Sequence, residues 1–211
     1  MQEVLDGVVH WTARHPNIGI LVSSYWLAAP RVLLDPLLPA EGIEWFDERP
    51  PQAILLTNRH HLRDSERLQA RFGCSIHCNE AGLHEFAGGD ATVEGFAIGE
   101  ELPGGVVAKE MDAICPDDTA LYLREHSALA LADGVVRAPG QDDGPLGFVP
   151  DSLMDDPPGT RQGLLASCRR LLEEVEFDNL LLAHGGPVVG TGRQAMQELI
   201  DAGGRTAFEG L

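Results

Sequence analysis

The sequence has little positive charge, and this scarcity excludes several classes of protein. Lysine and arginine number 15 against 33 aspartate and glutamate residues, so the formal net charge is −18, and Lys109 is the only lysine. A field of this sign repels phosphate backbones, so we expect no nucleic-acid partner bound through a broad basic surface. A small basic pocket within one cleft remains compatible with this charge balance.

Cysteines and long apolar runs are also scarce. The four cysteines, Cys74, Cys78, Cys115 and Cys168, are too few for a disulfide framework in 211 residues. The first residues are acidic and do not lead into an apolar segment, so no signal peptide is predicted. The most apolar stretch, residues 18–29, contains two serines and is too short to cross a bilayer. We therefore predict a cytoplasmic protein with reduced thiols and no membrane partner.

Short β-rich segments and helical periodicities alternate along the chain, and we expect them to form one domain over residues 1–211. Runs such as AILLT (53–57) and NLLLA (179–183) are apolar throughout, which is typical of strands buried on both faces. Other strands are predicted at 4–10, 18–28, 31–38, 74–78, 91–98, 104–111, 119–124 and 127–132, and helices at 41–48, 65–72, 80–86, 163–175 and 191–201. This order predicts a mixed α/β protein with two sheet regions. Residues 137–158, rich in Gly, Pro and Asp, form the longest predicted loop, which we expect to lie over the cleft.

Three predicted strands are each followed at once by residues that can bind metal. AILLT precedes Asn58-Arg59-His60-His61, SALALA precedes Asp133, and NLLLA precedes His184. Strand ends are where α/β folds place their ligands. Imidazole and carboxylate groups are common ligands of zinc and iron, so these three segments are the candidate site.

The order of several segments resembles the metallo-β-lactamase fold superfamily across most of the chain. The segments are RVLLDP (31–36), ILLTNRHHLRDS (54–65), DDTALYL (117–123), LALADGVV (129–136) and LLLAHGGPVVG (180–190). The resemblance implies an αββα four-layer sandwich, in which two mixed β-sheets are flanked by helices. It also implies a metal site at the mouth of the sandwich.

The metal motif of the superfamily is degraded in this chain. When His-x-His-x-Asp-His is aligned with residues 58–63, only His60 matches, because Asn58, Leu62 and Arg63 stand at the other positions. The loop that should carry a third histidine, residues 111–116, has none, and Asp112 or Cys115 are the substitutes it offers. The resemblance therefore implies three remaining ligands, which are His60, Asp133 and His184. Three ligands are too few for two metal ions but enough for one catalytic ion.

The leading hypothesis is a divergent hydrolase-like protein in which at most one zinc, iron or manganese ion activates water for attack on a small substrate. Asp133, His61 and Asp64 are assigned to catalysis, and Asn58, Arg59 and Arg63 to substrate binding. The alternative is a non-catalytic binding or regulatory protein without metal, in which Arg63 pairs with Asp133 or with an anionic ligand. A metal-free enzyme using Cys115 is a third hypothesis, and a homodimer is compatible with the sequence.

Simpler roles compete with each of these assignments. His61 and Arg59 could be ordinary loop residues, and Asp64 could begin the helix at 65–72. The CSIHC segment (74–78) puts its cysteines on one strand face and His77 on the other, so buried structural thiols are favoured there over a metal site.

Overall fold

Two mixed β-sheets pack face to face in the computed structural model, which describes residues 1–138 and 143–207. The first sheet has the order β1-β2-β3-β4-β5-β6-β7, with strands Gln2–Leu5, Val8–Arg14, Leu21–Leu27, Val32–Leu34, Ala53–Leu55, Ser75–Asn79 and Val93–Phe96. The second sheet has the order β12-β11-β10-β9-β8, where β8 to β12 are Glu101–Leu102, Val106–Glu110, Thr119–Leu123, Ala128–Leu131 and Asn179–Leu182. Strands β4 to β7 are parallel, β11 and β12 are parallel, and the other pairs are antiparallel.

In the described part of the chain, three α-helices cover the outer faces of the sheets. They are α1 (Ser65–Phe72), α2 (Pro157–Glu174) and α3 (Gly192–Asp201). Leu68 of α1 belongs to the apolar cluster on the outer face of the first sheet, and α2 and α3 contribute to the cluster on the outer face of the second. None of the helices in the described residues is long and apolar enough to cross a membrane. The predicted four-layer αββα sandwich is confirmed.

The period-two alternation of the central strands explains why their sequences are apolar throughout. In β5, Ala53 and Leu55 join the cluster between the two sheets, whereas Ile54 packs into the cluster under α1. In β12, Leu181 faces the other sheet, whereas Leu180 and Leu182 pack under the helices. Each of these strands therefore buries both faces, as expected for the middle of a four-layer fold.

Several predicted boundaries are corrected by local turn chemistry. The single strand predicted at 4–10 is wrong, because Gly7, with φ 70°, allows a tight turn between β1 and β2. The helix predicted at 163–175 begins earlier, at Pro157, where the side chain of Asp156 accepts a hydrogen bond from the backbone of Gly159. The segments at 41–48 and 80–86 contain 3-10 turns rather than α-helices.

The predicted loop at 137–158 is only partly described, because residues 139–142 lie outside the described part of the chain. From Gly147 onward the segment pairs with the second half of the molecule, through bridges from Gly147 to Val136 and from Phe148 to Thr206. A 3-10 turn, Asp151–Leu153, then leads to α2.

Candidate metal centre

Four strand ends converge at one edge of the sandwich, and they position the candidate site. Asp35 follows β4, Asn58 to His61 follow β5, Asp133 follows β11, and His184 follows β12. Because β4 and β5 run parallel, as do β11 and β12, their carboxyl ends lie side by side. Two side-chain hydrogen bonds help tie the sheets together here, from Ser23 Oγ to the Gly185 carbonyl (2.8 Å) and from Tyr25 Oη to the Leu182 carbonyl (2.8 Å).

His61 is buried at the centre of the site and lies between two carboxylates. Its Nδ1 is 3.0 Å from Asp35 Oδ2 and 3.0 Å from Thr57 Oγ1. Its Nε2 is 3.5 Å from Asp133 Oδ1. Burial opposes a charge on the ring, but the negative charges of Asp35 and Asp133 outweigh it and raise the pKa of His61 to about 9.

Asp133 links the two histidines and is oriented by an amide. Its Oδ1 is 2.9 Å from His184 Nε2, and its Oδ2 accepts a hydrogen bond of 2.8 Å from Asn58 Nδ2. Burial would raise the pKa of this carboxyl, but the neighbouring charge of His61 and the hydrogen bonds from His184 and His61 hold it well below its usual range. Asp133 is therefore ionised and available as a ligand at neutral pH.

The donor atoms of His61, Asp133 and His184 all lie within 4.8 Å of one another, and in the described part of the chain they are the one such group of three. Ligand bonds of about 2.0 Å in a tetrahedral zinc site place neighbouring donor atoms about 3.3 Å apart. The Asp133 Oδ1 distances to the two histidines, 2.9 and 3.5 Å, bracket that value. The contact of His61 Nδ1 with Asp35 matches the usual support of a metal-bound histidine, whose second nitrogen donates to a carboxylate. The residues present therefore fit a single ion.

The histidine in this group is His61, and not His60, which the degraded motif had suggested. Asn58 is the N-cap of a 3-10 turn, Arg59–His61, and its side chain accepts a hydrogen bond from the His60 backbone. The turn directs His61 into the core, whereas His60 is exposed and lies at the cleft outside the grouped donors. Aligning the motif by residue position alone selected His60, because the alignment contains no information about the 3-10 turn that places His61 in the site.

Arg63 lies beside the site and is held by two backbone carbonyls. Its Nη1 donates to the carbonyls of Ser23 and Asp35, both at 2.6 Å. Its Nη2 is buried and has no hydrogen-bond partner among the described residues. Its backbone adopts a left-handed conformation with φ 46°. A guanidinium cannot coordinate a cation, so Arg63 contributes a fixed positive charge to the site.

The remaining predicted residues have other partners. Asp64, which had been assigned a catalytic role, accepts a hydrogen bond of 2.8 Å from the Leu38 backbone and pairs with Arg67 at 3.0 Å. Arg59 lines the cleft, but its guanidinium and its backbone N–H both bind the buried carboxylate of Asp117. Asp64 therefore acts in holding the loop, and Arg59 is already partly neutralised.

The cysteines and the loop at residues 111–116 contribute no donor atom to the group of three. Cys115 lies at the cleft but is not among the grouped donors, and Asp112 lies 3.9 Å from Arg170. Cys74 and Cys78 are buried in an apolar cluster, as predicted, and Cys168 is buried in the cluster under α2 and α3.

Three acidic residues near the site were missed by sequence reasoning. Asp35 supports His61, and Asp117 binds Arg59. Asp118 is buried, and neither of its carboxyl oxygens has a hydrogen-bond partner in residues 1–138 and 143–207. Burial and the neighbouring charge of Asp133 raise the pKa of Asp118 well above its usual range. The signal for Asp35 was its place before Pro36 at the end of an apolar strand.

The site opens into a cleft of about 560 Å³. The polar part of the cleft contains the three grouped donor residues. It also contains His15, Arg59, His60, Arg63 and Asp155. Its apolar lining comes from both halves of the sandwich and from the segment before α2, and comprises Ile18, Ile20, Val22, Ile114, Val136, Val149 and Leu153. A cleft with apolar walls and a few convergent polar groups is the usual form of a small-molecule site.

Comparison with solved structures identifies the fold. A metallo-β-lactamase family protein from Thermus thermophilus superposes with a TM-score of 0.67 at 18% identity, over 95% of this chain and 80% of that chain. A flavodiiron protein from Giardia intestinalis gives 0.66 at 16% identity, over 96% of this chain, which spans 58% of that chain. A B3 metallo-β-lactamase with an active-site glutamic acid gives 0.64 at 16% identity, over 96% of this chain and 86% of that chain. No protein-family model matches the sequence, and no curated protein matches it. The chain therefore has the metallo-β-lactamase fold. At these low sequence identities, the comparison shows the fold and nothing more.

Proposed function

We propose that this chain, with its metallo-β-lactamase fold, is a divergent hydrolase-like protein that holds one divalent metal ion with His61, Asp133 and His184. The observation that carries the proposal is the convergence of three donor atoms within 4.8 Å at the floor of a cleft. Two imidazoles and one carboxylate suit zinc, iron or manganese, and three protein ligands leave a position for water.

A bound ion would supply a water molecule of lowered pKa and would polarise a carbonyl or phosphoryl oxygen. The chain's own residues prepare the site for it. Asp35 accepts a hydrogen bond from His61 Nδ1–H and so directs the Nε2 lone pair towards Asp133 and His184. Asn58 occupies Asp133 Oδ2 and leaves Oδ1 facing the histidines. Asp64 has no role in this proposal because its carboxylate is held by Leu38 and Arg67.

The second candidate function, a binding or regulatory protein without metal, is favoured by the charge balance of the site. Without an ion, the negative charges of Asp35 and Asp133 are matched by Arg63 and by a protonated His61. With an ion, His61 gives up its proton and the same group carries one surplus positive charge. That surplus would be balanced by hydroxide or by an anionic substrate.

Metal content per protomer separates the two candidates. The protein should be purified without tag or chelator and measured by inductively coupled plasma mass spectrometry, together with His61→Ala, His184→Ala and His60→Ala. We expect about one equivalent of ion in the parent protein and in His60→Ala, and a loss in the other two variants. His60→Ala is the matched control because it removes an exposed neighbouring imidazole. Absence of metal, with no thermal shift on adding zinc, iron or manganese, would contradict the hydrolase proposal and leave the binding protein.

A further inference from the structure

Arg63 has a hydrogen-bond donor whose acceptor is missing from residues 1–138 and 143–207. Nη1 makes both of its bonds to backbone carbonyls, whereas Nη2 is buried and makes none. A buried donor left without an acceptor costs about 1–3 kcal/mol, and more when it is charged. Buried polar groups are nearly always satisfied, so Nη2 lacks an acceptor that the described residues do not supply. Arg63 lines the cleft, which is where such a group would enter.

The rim of the same cleft exposes two large apolar side chains. Ile18, in the loop between β2 and β3, is 56% exposed, and Leu153, in the 3-10 turn before α2, is 67% exposed. Both contribute to the lining of the cleft, and they come from different parts of the chain. Apolar side chains gathered at the mouth of a cleft favour an apolar ligand segment, which would remove them from water.

The charges around Arg63 restrict the head group of this ligand. Nη1 is already occupied by two backbone carbonyls, so the fork formed by Nη1 and Nη2 is closed to an anion, and Nη2 is left without a partner among the described residues. The cleft also contains Asp133 and Asp155, and the whole chain carries a net charge of −18. A doubly charged phosphate would be repelled by this field more strongly than a singly charged carboxylate.

We propose that the cleft binds a small aliphatic carboxylate, whose head accepts a hydrogen bond from Arg63 Nη2 and whose chain lies against Ile18 and Leu153. The inference rests on the proposed function only where it names this molecule as substrate. For the hydrolase, the substrate is then an aliphatic compound that carries a free carboxylate. The binding itself needs no metal.

Binding should be measured first on protein stripped of metal by a chelator and then dialysed. Sodium hexanoate, 1-hexanol and hexylammonium chloride form a matched series with negative, neutral and positive heads, and titration calorimetry or chemical shifts report their affinities. We expect hexanoate to bind at least about tenfold more tightly than the other two probes, since a charge-assisted hydrogen bond distinguishes it. From butanoate to octanoate, affinity should rise by up to about fourfold for each buried methylene group.

Variants assign the two ends of the ligand. Arg63→Gln should weaken hexanoate binding at least about tenfold, whereas Arg169→Gln, at an exposed position of α2, should leave it unchanged. Leu153→Ser should retain butanoate binding and reduce the gain from longer chains. Because Leu153 is largely exposed, this substitution does not threaten folding. Circular dichroism reports whether Arg63→Gln still folds, and if it does not, the head-group series and Leu153→Ser decide the question.

Equal binding of hexanoate and hexanol would overturn the proposal, and so would the absence of hexanoate binding, which would mean that Nη2 binds only water. If the protein binds carboxylate but takes up no metal, the hydrolase proposal is contradicted and the carboxylate site is supported. If it takes up metal but binds no carboxylate, the hydrolase proposal is supported and the carboxylate site is contradicted.

Discussion

Metal affinity at the proposed centre should rise with pH, because His61 must lose a proton before it can bind an ion. Burial disfavours the protonated ring, but Asp35 and Asp133 hold the proton and raise the pKa of His61 to about 9. Only the unprotonated nitrogen is a ligand. A pH of 7 is about two units below the pKa of the His61 ring. Competition from the proton therefore weakens metal binding about a hundredfold, or by about 3 kcal/mol.

Competition with a chromophoric chelator of known protonation constants measures this effect between about pH 6 and about pH 10. The logarithm of the zinc association constant should rise by about one for each pH unit and level off near pH 9. Calorimetry in buffers of different ionisation enthalpy should show about one proton released per ion at neutral pH. A flat dependence from neutral pH to pH 9, or a break near the ordinary histidine pKa, would refute the reasoning, because it would mean that the carboxylates do not hold the proton.

Asp35→Asn is the diagnostic variant, since it removes the strongest of the charges that raise the pKa of His61. The pH at which metal affinity levels off should move lower in this variant, whereas His60→Ala should leave it in place.

The stability of the metal-free protein should have the opposite dependence on pH. A histidine whose pKa is raised on folding stabilises the fold fully below its unfolded pKa, and this contribution is lost as the pH rises towards 9. The Tm of the metal-free protein should therefore fall over that range.

Three further predictions concern the stability of the chain. Asp118→Asn should raise the Tm at neutral pH, because the pKa of the buried Asp118 is raised and folding therefore requires proton uptake above the unfolded pKa; an unchanged Tm would mean that Asp118 has an unseen partner. Raising sodium chloride from about 0.1 M to about 1 M shortens the screening length from about 10 Å to about 3 Å, so the Tm should increase through weaker repulsion among the acids that give the net charge of −18; a decrease would show that local ion pairs dominate. Gly185→Ala should cost about 3 kcal/mol in urea denaturation, because the new Cβ would lie 2.4 Å from Arg137 Cβ at φ 89°. Gly190→Ala, at φ 77° with nothing within 4 Å, is its control and should cost about 1 kcal/mol.

The layers of the fold and two of the three candidate ligands could be predicted because they depend on simple alternation. A strand that buries both faces is apolar at every position, and the first polar residue after it marks the edge of the sheet. That rule located Asp133 after β11 and His184 after β12. The same rule located residues 58–61 after β5, but it could not choose between adjacent histidines. The choice depends on a 3-10 turn that is capped by Asn58, and Asn58 itself contacts Asp133, 75 residues further along the chain.

The residues that surround His61 adopt backbone conformations that could not be predicted from the sequence. Asp35 and Arg63 both adopt left-handed φ values of 46°, although neither is glycine. Each costs about 1 kcal/mol or more, and such residues persist where the surrounding contacts over-determine them. Here the two residues are joined through one hydrogen bond. The guanidinium of Arg63 binds the Asp35 carbonyl, while the Asp35 carboxylate binds the Thr57 backbone and the ring of His61. Arg63 therefore fixes the backbone of the residue that contacts His61, and its buried Nη2 has no hydrogen-bond partner among the described residues. Strain concentrated at these two positions is expected where a structure has to hold a binding site in one geometry.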